Sequence, residues 1–169
     1  MVEELEKCGE AETAEHEGFV EFTKGSKAVL DELCDESSSL HANYLSNADC
    51  YRSLLSTAEA CENHAGSIFQ TYKQYQQSES EEMEEMKNGR YRYCFVQAYK
   101  VACLSIRINL QCGELARSTF LDIVRRSNHL KQYCSQTIKE DLQTRFLDFT
   151  GLEGNQRELM ADAFNFKRK

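Results

Sequence analysis

The chain has 169 residues, a formal net charge of −8, eight cysteines, and neither proline nor tryptophan. Such a length predicts one modest domain. With 20 Lys and Arg against 28 Asp and Glu, the chain has no basic surplus for nucleic-acid phosphates or anionic lipid head groups. Its longest apolar stretch, 95–110, is interrupted by polar residues and falls short of the ~20 apolar residues that span a membrane. We therefore expect a soluble protein with no nucleic-acid partner and no membrane insertion.

The lack of proline indicates the fold class. Proline removes a backbone donor and clashes with the preceding helical turn, so long helices exclude it. The chain is also rich in Glu, Leu, Ala, Gln, Lys and Arg, which favour helices. We predict an all-α, disulfide-stapled bundle of five or six helices.

The apolar pattern divides the chain into three parts: an acidic N-terminal arm (1–18), a disulfide-stapled helical domain (19–150) and a C-terminal helical extension (151–169). The predicted helices start at about Phe19, 40, 49, 91 and 115, followed by an apolar stripe on Ile138, Leu142, Phe146 and Phe149. The long helix over 49–77 leads into an acidic loop that begins at Ser78. We expect Gly25 to weaken the first helix and Gly113 to end or kink the central one.

The cysteines are the clearest structural signal. They lie far apart, at Cys8, Cys34, Cys50, Cys61, Cys94, Cys103, Cys112 and Cys134, and no CxxC pair occurs. Close pairs are typical of zinc and thioredoxin-like sites, whereas an even number of dispersed cysteines favours structural disulfides and an oxidising compartment. The acidic N-terminus does not resemble a signal peptide. Either the chain is cytosolic, or a signal was removed and an initiator Met added. We favour the second and expect a secreted, extracellular protein.

Helical phase restricts where the disulfides can lie. Cys94 and Cys112, eighteen residues apart, share a face, and Cys103 points the other way, so the helix over 91–112 is expected to lie centrally between neighbours. Cys50 and Cys61 are also expected to share a face. Four bridges among eight cysteines allow 105 connectivities. We expect two of them to be Cys61–Cys94 and Cys112–Cys134. The alternative is that two cysteines, Cys8 first among them, are free or intermolecular.

A resemblance follows from the spacing. The run Arg92-Tyr93-Cys94, Cys103, Cys112-Gly113-Glu114-Leu115-Ala116 and Cys134, preceded by Cys34, Cys50 and Cys61, resembles uncharacterised cysteine-rich helical proteins secreted by arthropods. This resemblance implies secretion and a stapled α-helical fold, with no enzyme chemistry. The gap between Cys103 and Cys112 is also similar to that of insect odorant-binding proteins. From those proteins only the idea of a stapled helical ligand pocket is carried over.

No motif predicts catalysis. The sequence has no HExxH, GxSxG, Walker loop or GxGxxG, so we expect no enzyme activity, no metal and no cofactor. Cys61 and His64 can share a helix face, but a structural cysteine beside an exposed histidine is the stronger interpretation. Aromatic residues give the one positive indication. Those on two helices can either line an apolar ligand cavity or form packed core; the candidates are Phe69, Tyr72, Tyr91, Phe95 and Tyr99.

Together these patterns predict a secreted, non-enzymatic binding protein that carries a small apolar ligand in a helical pocket. An extracellular protein partner remains the alternative, which would make the chain a cytokine-like or toxin-like interaction module. A structural component of an extracellular assembly is also open. The sequence leaves the oligomeric state undetermined.

Overall fold

The computed structural model describes residues 14–79 and 89–165. Most of the predicted acidic arm, including Cys8, and most of the predicted acidic loop lie outside these ranges. The helices are α1 (Ala14–Leu33), α2 (Ser39–Ser46), α3 (Ala48–Ser53), α4 (Leu55–Glu79), α5 (Gly89–Cys112), α6 (Glu114–Arg126), α7 and α8 (Gly154–Ala163). Helix α7 comprises Gln136–Asp141, a π-helical stretch Leu142–Phe146 and a last turn Leu147–Phe149. The described residues contain no strand, which confirms the all-α fold.

Helix α5 is the central element, as predicted. It packs against α4, α6 and α8, and also contacts α3 and α7. Nine of its side chains are buried, and they face more than one neighbour: Tyr91, Cys94, Phe95, Ala98, Tyr99, Val101, Ala102, Ser105 and Ile108. The predicted stripe on α7 is buried too, at Ile138, Leu142 and Phe146. The main core is therefore built around α5.

Three disulfides staple this bundle: Cys50–Cys112, Cys61–Cys103 and Cys94–Cys134, with Cα–Cα distances of 6.1, 5.8 and 4.9 Å. Each joins α5 to a different part of the chain. Cys34 is exposed and forms no disulfide in the described structure. Any bridge to Cys8 lies outside the described residues.

The two predicted bridges, Cys61–Cys94 and Cys112–Cys134, are wrong. Helix α4 continues for eighteen residues, about 27 Å, beyond Cys61 before the chain returns in α5. Cys61 therefore meets the middle of α5, at Cys103, rather than its first turns. The chain then reverses at Gly113, and α6 packs along α5. Because of this reversal, Cys134, which follows α6, lies beside Cys94 near the start of α5.

Some predicted boundaries also differ. The predicted helix over 49–77 is two helices, because the chain breaks at Leu54, which is buried with φ −95° and ψ 1°. Cys50 and Cys61 thus lie on separate helices, and the predicted shared face on one helix is wrong. Helix α1 begins at Ala14, inside the predicted arm. Helix α6 ends at Arg126, before Asn128 takes a positive φ of 55°.

The C-terminal helix α8 belongs to the main core. Its end buries Met160, Ala163 and Phe164. Asp162 fixes it to α6 by ion pairs of 2.8 Å with both Arg117 and Arg125. Burial alone would raise the pKa of Asp162, but the hydrogen bonds from the two guanidinium groups outweigh this and hold its pKa below the usual value. This charged contact closes the bundle against α6.

Gly25 has a structural role that the sequence did not suggest. We expected it only to weaken α1, yet a Cβ at this position would lie 2.5 Å from the carbonyl oxygen of Arg126. The missing side chain lets α1 approach the end of α6. By contrast, a Cβ on Gly66 in α4 would meet nothing within 4 Å.

Replacement of these two glycines by alanine should change stability in opposite directions. Gly25→Ala forces backbone apart and should lower the free energy of unfolding by about 2 kcal/mol. Gly66→Ala should raise it by about 0.5 kcal/mol, because alanine loses less entropy in a helix. Urea unfolding followed by circular dichroism measures both. Equal effects of the two substitutions would contradict the close packing of α1 on α6.

The disulfide pairing can be checked directly. Proteolysis without reduction, followed by mass spectrometry, should recover linked peptides for Cys50–Cys112, Cys61–Cys103 and Cys94–Cys134. Cys34 is exposed, so alkylation of the folded protein distinguishes a free thiol, which is labelled, from a bridge to Cys8, which is not. A peptide that links Cys61 to Cys94 would contradict the antiparallel return of α5 along α4.

Candidate functional site

The five aromatic residues predicted to bind a ligand are brought together, but as packed core. Phe95 lies 5.2 Å from Phe69 and 6.1 Å from both Tyr72 and Tyr99, measured between ring centroids. Tyr91 lies 6.0 Å from Phe69. None of the five side chains is more than 8% exposed. None of them lines the apolar cavity or the larger groove beside α6, and their rings contact protein.

Phe146 and Asp141 on α7 complete this aromatic core. The Phe146 ring lies edge-on to Phe95, with centroids 4.8 Å apart. The Tyr72 hydroxyl donates to Asp141 Oδ2 at 2.8 Å, and the Tyr91 hydroxyl donates to the same oxygen. Gln76 Nε2 in turn donates to the Tyr72 hydroxyl at 2.7 Å. A polar cluster therefore joins α4, α5 and α7 inside the core.

Both tyrosines of this cluster are held in their neutral form. Burial is the largest cause that raises the pKa of Tyr72 and Tyr91, and the charge of Asp141 raises both further. A neutral tyrosine can donate to Asp141, whereas a tyrosinate would repel it. The cluster is thus suited to holding helices together and not to proton transfer with solvent.

The apolar cavity lies elsewhere, where five helices meet. This apolar pocket has a volume of about 240 Å³. Its lining is contributed by α2 to α6 and the break between α3 and α4, and consists of Tyr44, Tyr51, Leu54, Leu55, Ala58, Leu104, Ile108, Phe120 and Ile123. The nine side chains that line the pocket are apolar or aromatic, and their only polar groups are the two tyrosine hydroxyls.

Covalent links hold the walls of the apolar pocket. Cys50–Cys112 ties α3 to the end of α5, and Cys61–Cys103 ties α4 to the middle of α5 beside Leu104. Tyr51 adds a further link, because its hydroxyl donates to the carbonyl oxygen of Ala116 at 2.8 Å. With its hydroxyl turned to α6, Tyr51 presents its ring to the neighbouring Tyr44 ring, 5.4 Å away and stacked. The pocket is therefore preformed.

The apolar pocket was missed by the sequence analysis. Its residues come from five helices, and their grouping depends on the break at Leu54, which a continuous helix over 49–77 does not contain. The sequence carried no signal for it, because adjacent leucines such as Leu54 and Leu55 fit the wide apolar stripe of a continuous helix. In the structure Leu54 is buried, whereas Leu55 is 72% exposed. Exposed Leu55 and Tyr44 form the rim of the pocket.

The other chemistry weighed from the sequence takes a structural form. Cys61 is bridged to Cys103 and has no thiol, so it is not a nucleophile beside His64. His64 instead contacts Tyr99, at 3.2 Å between Nδ1 and the hydroxyl oxygen. Within the described ranges, no group of three or more His, Cys, Asp or Glu is placed to hold a metal ion. None of the described helices is long and apolar enough to cross a membrane.

Comparison with protein-family models, with curated proteins and with solved structures gave no match to this chain.

The importance of the Asp141 cluster can be measured by its removal. Asp141→Ala leaves two buried hydroxyls without their acceptor and should lower the free energy of unfolding by about 3 kcal/mol. Glu140→Ala, at the exposed neighbouring position, should change it by less than about 0.5 kcal/mol. Chemical denaturation of both variants gives the comparison. Similar losses for the two would show that the cluster does not stabilise the core.

Proposed function

We propose that this chain is an extracellular, non-enzymatic binding protein, and that the apolar pocket carries a small, uncharged apolar ligand. The observation on which this proposal depends is the pocket itself: a cavity of about 240 Å³ lined by apolar and aromatic side chains and bounded by two disulfides.

The volume of the pocket sets the size of the ligand. A buried apolar cavity of ~150 Å³ is enough to bind benzene. A volume of about 240 Å³ therefore favours a ligand of one or two rings, or a short branched aliphatic chain. The rim residues Tyr44 and Leu55 are 38% and 72% exposed, which supports entry from the surface without unfolding.

The lining favours an uncharged ligand. No lysine, arginine, aspartate or glutamate lines the pocket. A buried charge without a partner is strongly unfavourable, so a charged ligand would be disfavoured there. The Tyr51 hydroxyl is directed to Ala116, which leaves apolar contact and ring stacking as the main sources of affinity.

The disulfides support both rigidity and location. A preformed cavity loses less entropy when a ligand binds than one that must first be ordered. Three bridges among the described residues are typical of proteins from oxidising compartments, which supports an extracellular site of action.

The proposal can be tested with N-phenyl-1-naphthylamine, an uncharged dye whose fluorescence rises in apolar surroundings. It should bind saturably to the native protein. Ala58→Phe places a ring in the apolar pocket and should weaken dye binding at least about tenfold. Ala58 is only half-buried, so this substitution should leave the thermal unfolding midpoint within about 4 °C of the original.

A matched control is Ala60→Phe, two residues along the same helix, exposed and outside the pocket. It should leave dye affinity unchanged. Saturable binding that both substitutions leave intact would exclude the apolar pocket as the binding site. A complete lack of binding to the unsubstituted protein would favour the alternative, an extracellular interaction module that presents the exposed rim residues Tyr44 and Leu55 to a protein partner.

A further inference from the structure

A second cavity lies on another side of α6. It has a volume of about 640 Å³, within the usual range for small-molecule sites. Helix α6 separates it from the apolar pocket, since Phe120 and Ile123 face the pocket whereas Leu121, Val124 and Arg125 face this groove. The opposite wall is formed by α1. The two cavities therefore have separate linings.

The charge of this groove is opposite to that of the chain. Among its fifteen lining residues, four are cationic, Lys24, Arg125, Lys131 and Lys139, and one is anionic, Glu21. The lining thus has a formal charge of +3, in a chain whose net charge is −8. Cations concentrated in a cleft attract an anion more strongly than scattered surface charges do. We call this cavity the cationic groove.

The cations of the groove are positioned by other contacts. Arg125 donates from Nε to the carbonyl oxygen of Asn165 at 3.0 Å, and also pairs with Asp162. Lys131 forms an ion pair with Glu21 on α1. These contacts connect α1, the segment after α6 and the C-terminal end of α8. The positive charges are consequently held around one space.

The surroundings of Lys139 disfavour its positive charge. It is half-buried on α7, and burial is the main cause that lowers its pKa, with the charge of Lys131 as the second cause and Glu21 acting in the opposite direction. Glu21 pairs with Lys131, but the repulsion of Lys139 by Lys131 exceeds its attraction to Glu21, so a further anion between the two ammonium groups would stabilise both.

The uncharged lining is mixed: four residues are amides, Asn128, Gln136, Gln143 and Asn165, and most of the others are apolar. Leu121, Leu130 and Ala163 are buried and belong to the main core, and Val124 packs against it. A simple inorganic anion would leave this apolar wall unused. An anion attached to an apolar body would use both the cations and the wall.

We propose that the cationic groove is a second ligand site, and that it binds a small amphipathic organic anion, with the head group between Lys131 and Lys139 and the apolar body against Leu121, Val124 and Leu130. A carboxylate, sulfonate or phosphate ester shares the required head-group chemistry. This site is independent of the neutral-ligand site in the apolar pocket.

The test uses 8-anilinonaphthalene-1-sulfonate, which is the neutral dye of the previous experiment with a sulfonate added. It should bind the native protein saturably, and Lys139→Gln should weaken that binding about tenfold, as expected for loss of a charge-assisted hydrogen bond. Lys27→Gln makes the same change of charge at an exposed position on α1 that is outside the groove, and should leave binding within about twofold. Lys139→Gln should not change the affinity for N-phenyl-1-naphthylamine, and Ala58→Phe should not change the affinity of the groove for the sulfonate dye.

Competition identifies the class of ligand. Decanoate should displace the sulfonate dye, whereas decanol, with the same chain and no charge, should require a concentration at least about tenfold higher. Displacement by inorganic sulfate as effective as that by decanoate would overturn the amphipathic part of the proposal. Equal binding of the sulfonate dye by native protein and Lys139→Gln would overturn the site. Neither result depends on the apolar pocket, since binding to that pocket is measured separately with the neutral dye.

Discussion

The whole structure depends on one constraint: helix α5 is buried among its neighbours and is covalently fixed at three levels. Its cysteines at positions 94, 103 and 112 are bonded to the segment before α7, to α4 and to α3, respectively. In the chain-entropy description, a bridge that closes a loop of 40 to 62 residues contributes about 4 kcal/mol, by restricting the unfolded chain. Since a domain of this size is stable by only about 5–15 kcal/mol, the bridges are a major part of its stability.

This constraint also decides where a ligand can bind. The aromatic side chains of the first half of α5 fill the space that its neighbours enclose, and Asp141 satisfies the hydroxyls of Tyr72 and Tyr91 inside it. A region packed in this way has no room for a ligand. Cavities occur instead where helices end or begin: at the break between α3 and α4, and where α1 meets the chain after α6. Both cavities have α6 as a wall, and different faces of that helix give them different chemistry.

In our proposal, the two cavities divide apolar and anionic ligand chemistry between them. The apolar pocket lacks charged side chains, whereas the cationic groove has a net positive lining that is otherwise partly amide and partly apolar. In a chain with net charge −8, general electrostatic attraction would favour cationic partners. A local positive groove within this acidic protein would therefore be selective in our proposal, because an anion gains from the nearby lysines only when it enters the groove.

The sequence by itself determined the fold class and the central helix. The lack of proline favours long helices. The nine-residue spacing of Cys94, Cys103 and Cys112 places these cysteines on opposite faces of a helix, which therefore needs neighbours on both sides. The stripe on α7 was likewise predicted, because helical periodicity is a local property. The candidate aromatic residues were correctly grouped, although apolar spacing alone cannot distinguish a filled core from a cavity.

Only the tertiary structure decided the disulfide pairing and the two cavities. The pairing follows from the length of α4, which carries the chain far past Cys61 before it returns. Helical periodicity in the sequence does not predict where that helix ends. The break at Leu54 and the close approach at Gly25 depend on contacts between residues far apart in the chain. A cavity is the space that packing leaves between several helices, so its lining is set by their arrangement in three dimensions and not by the pattern of any one of them.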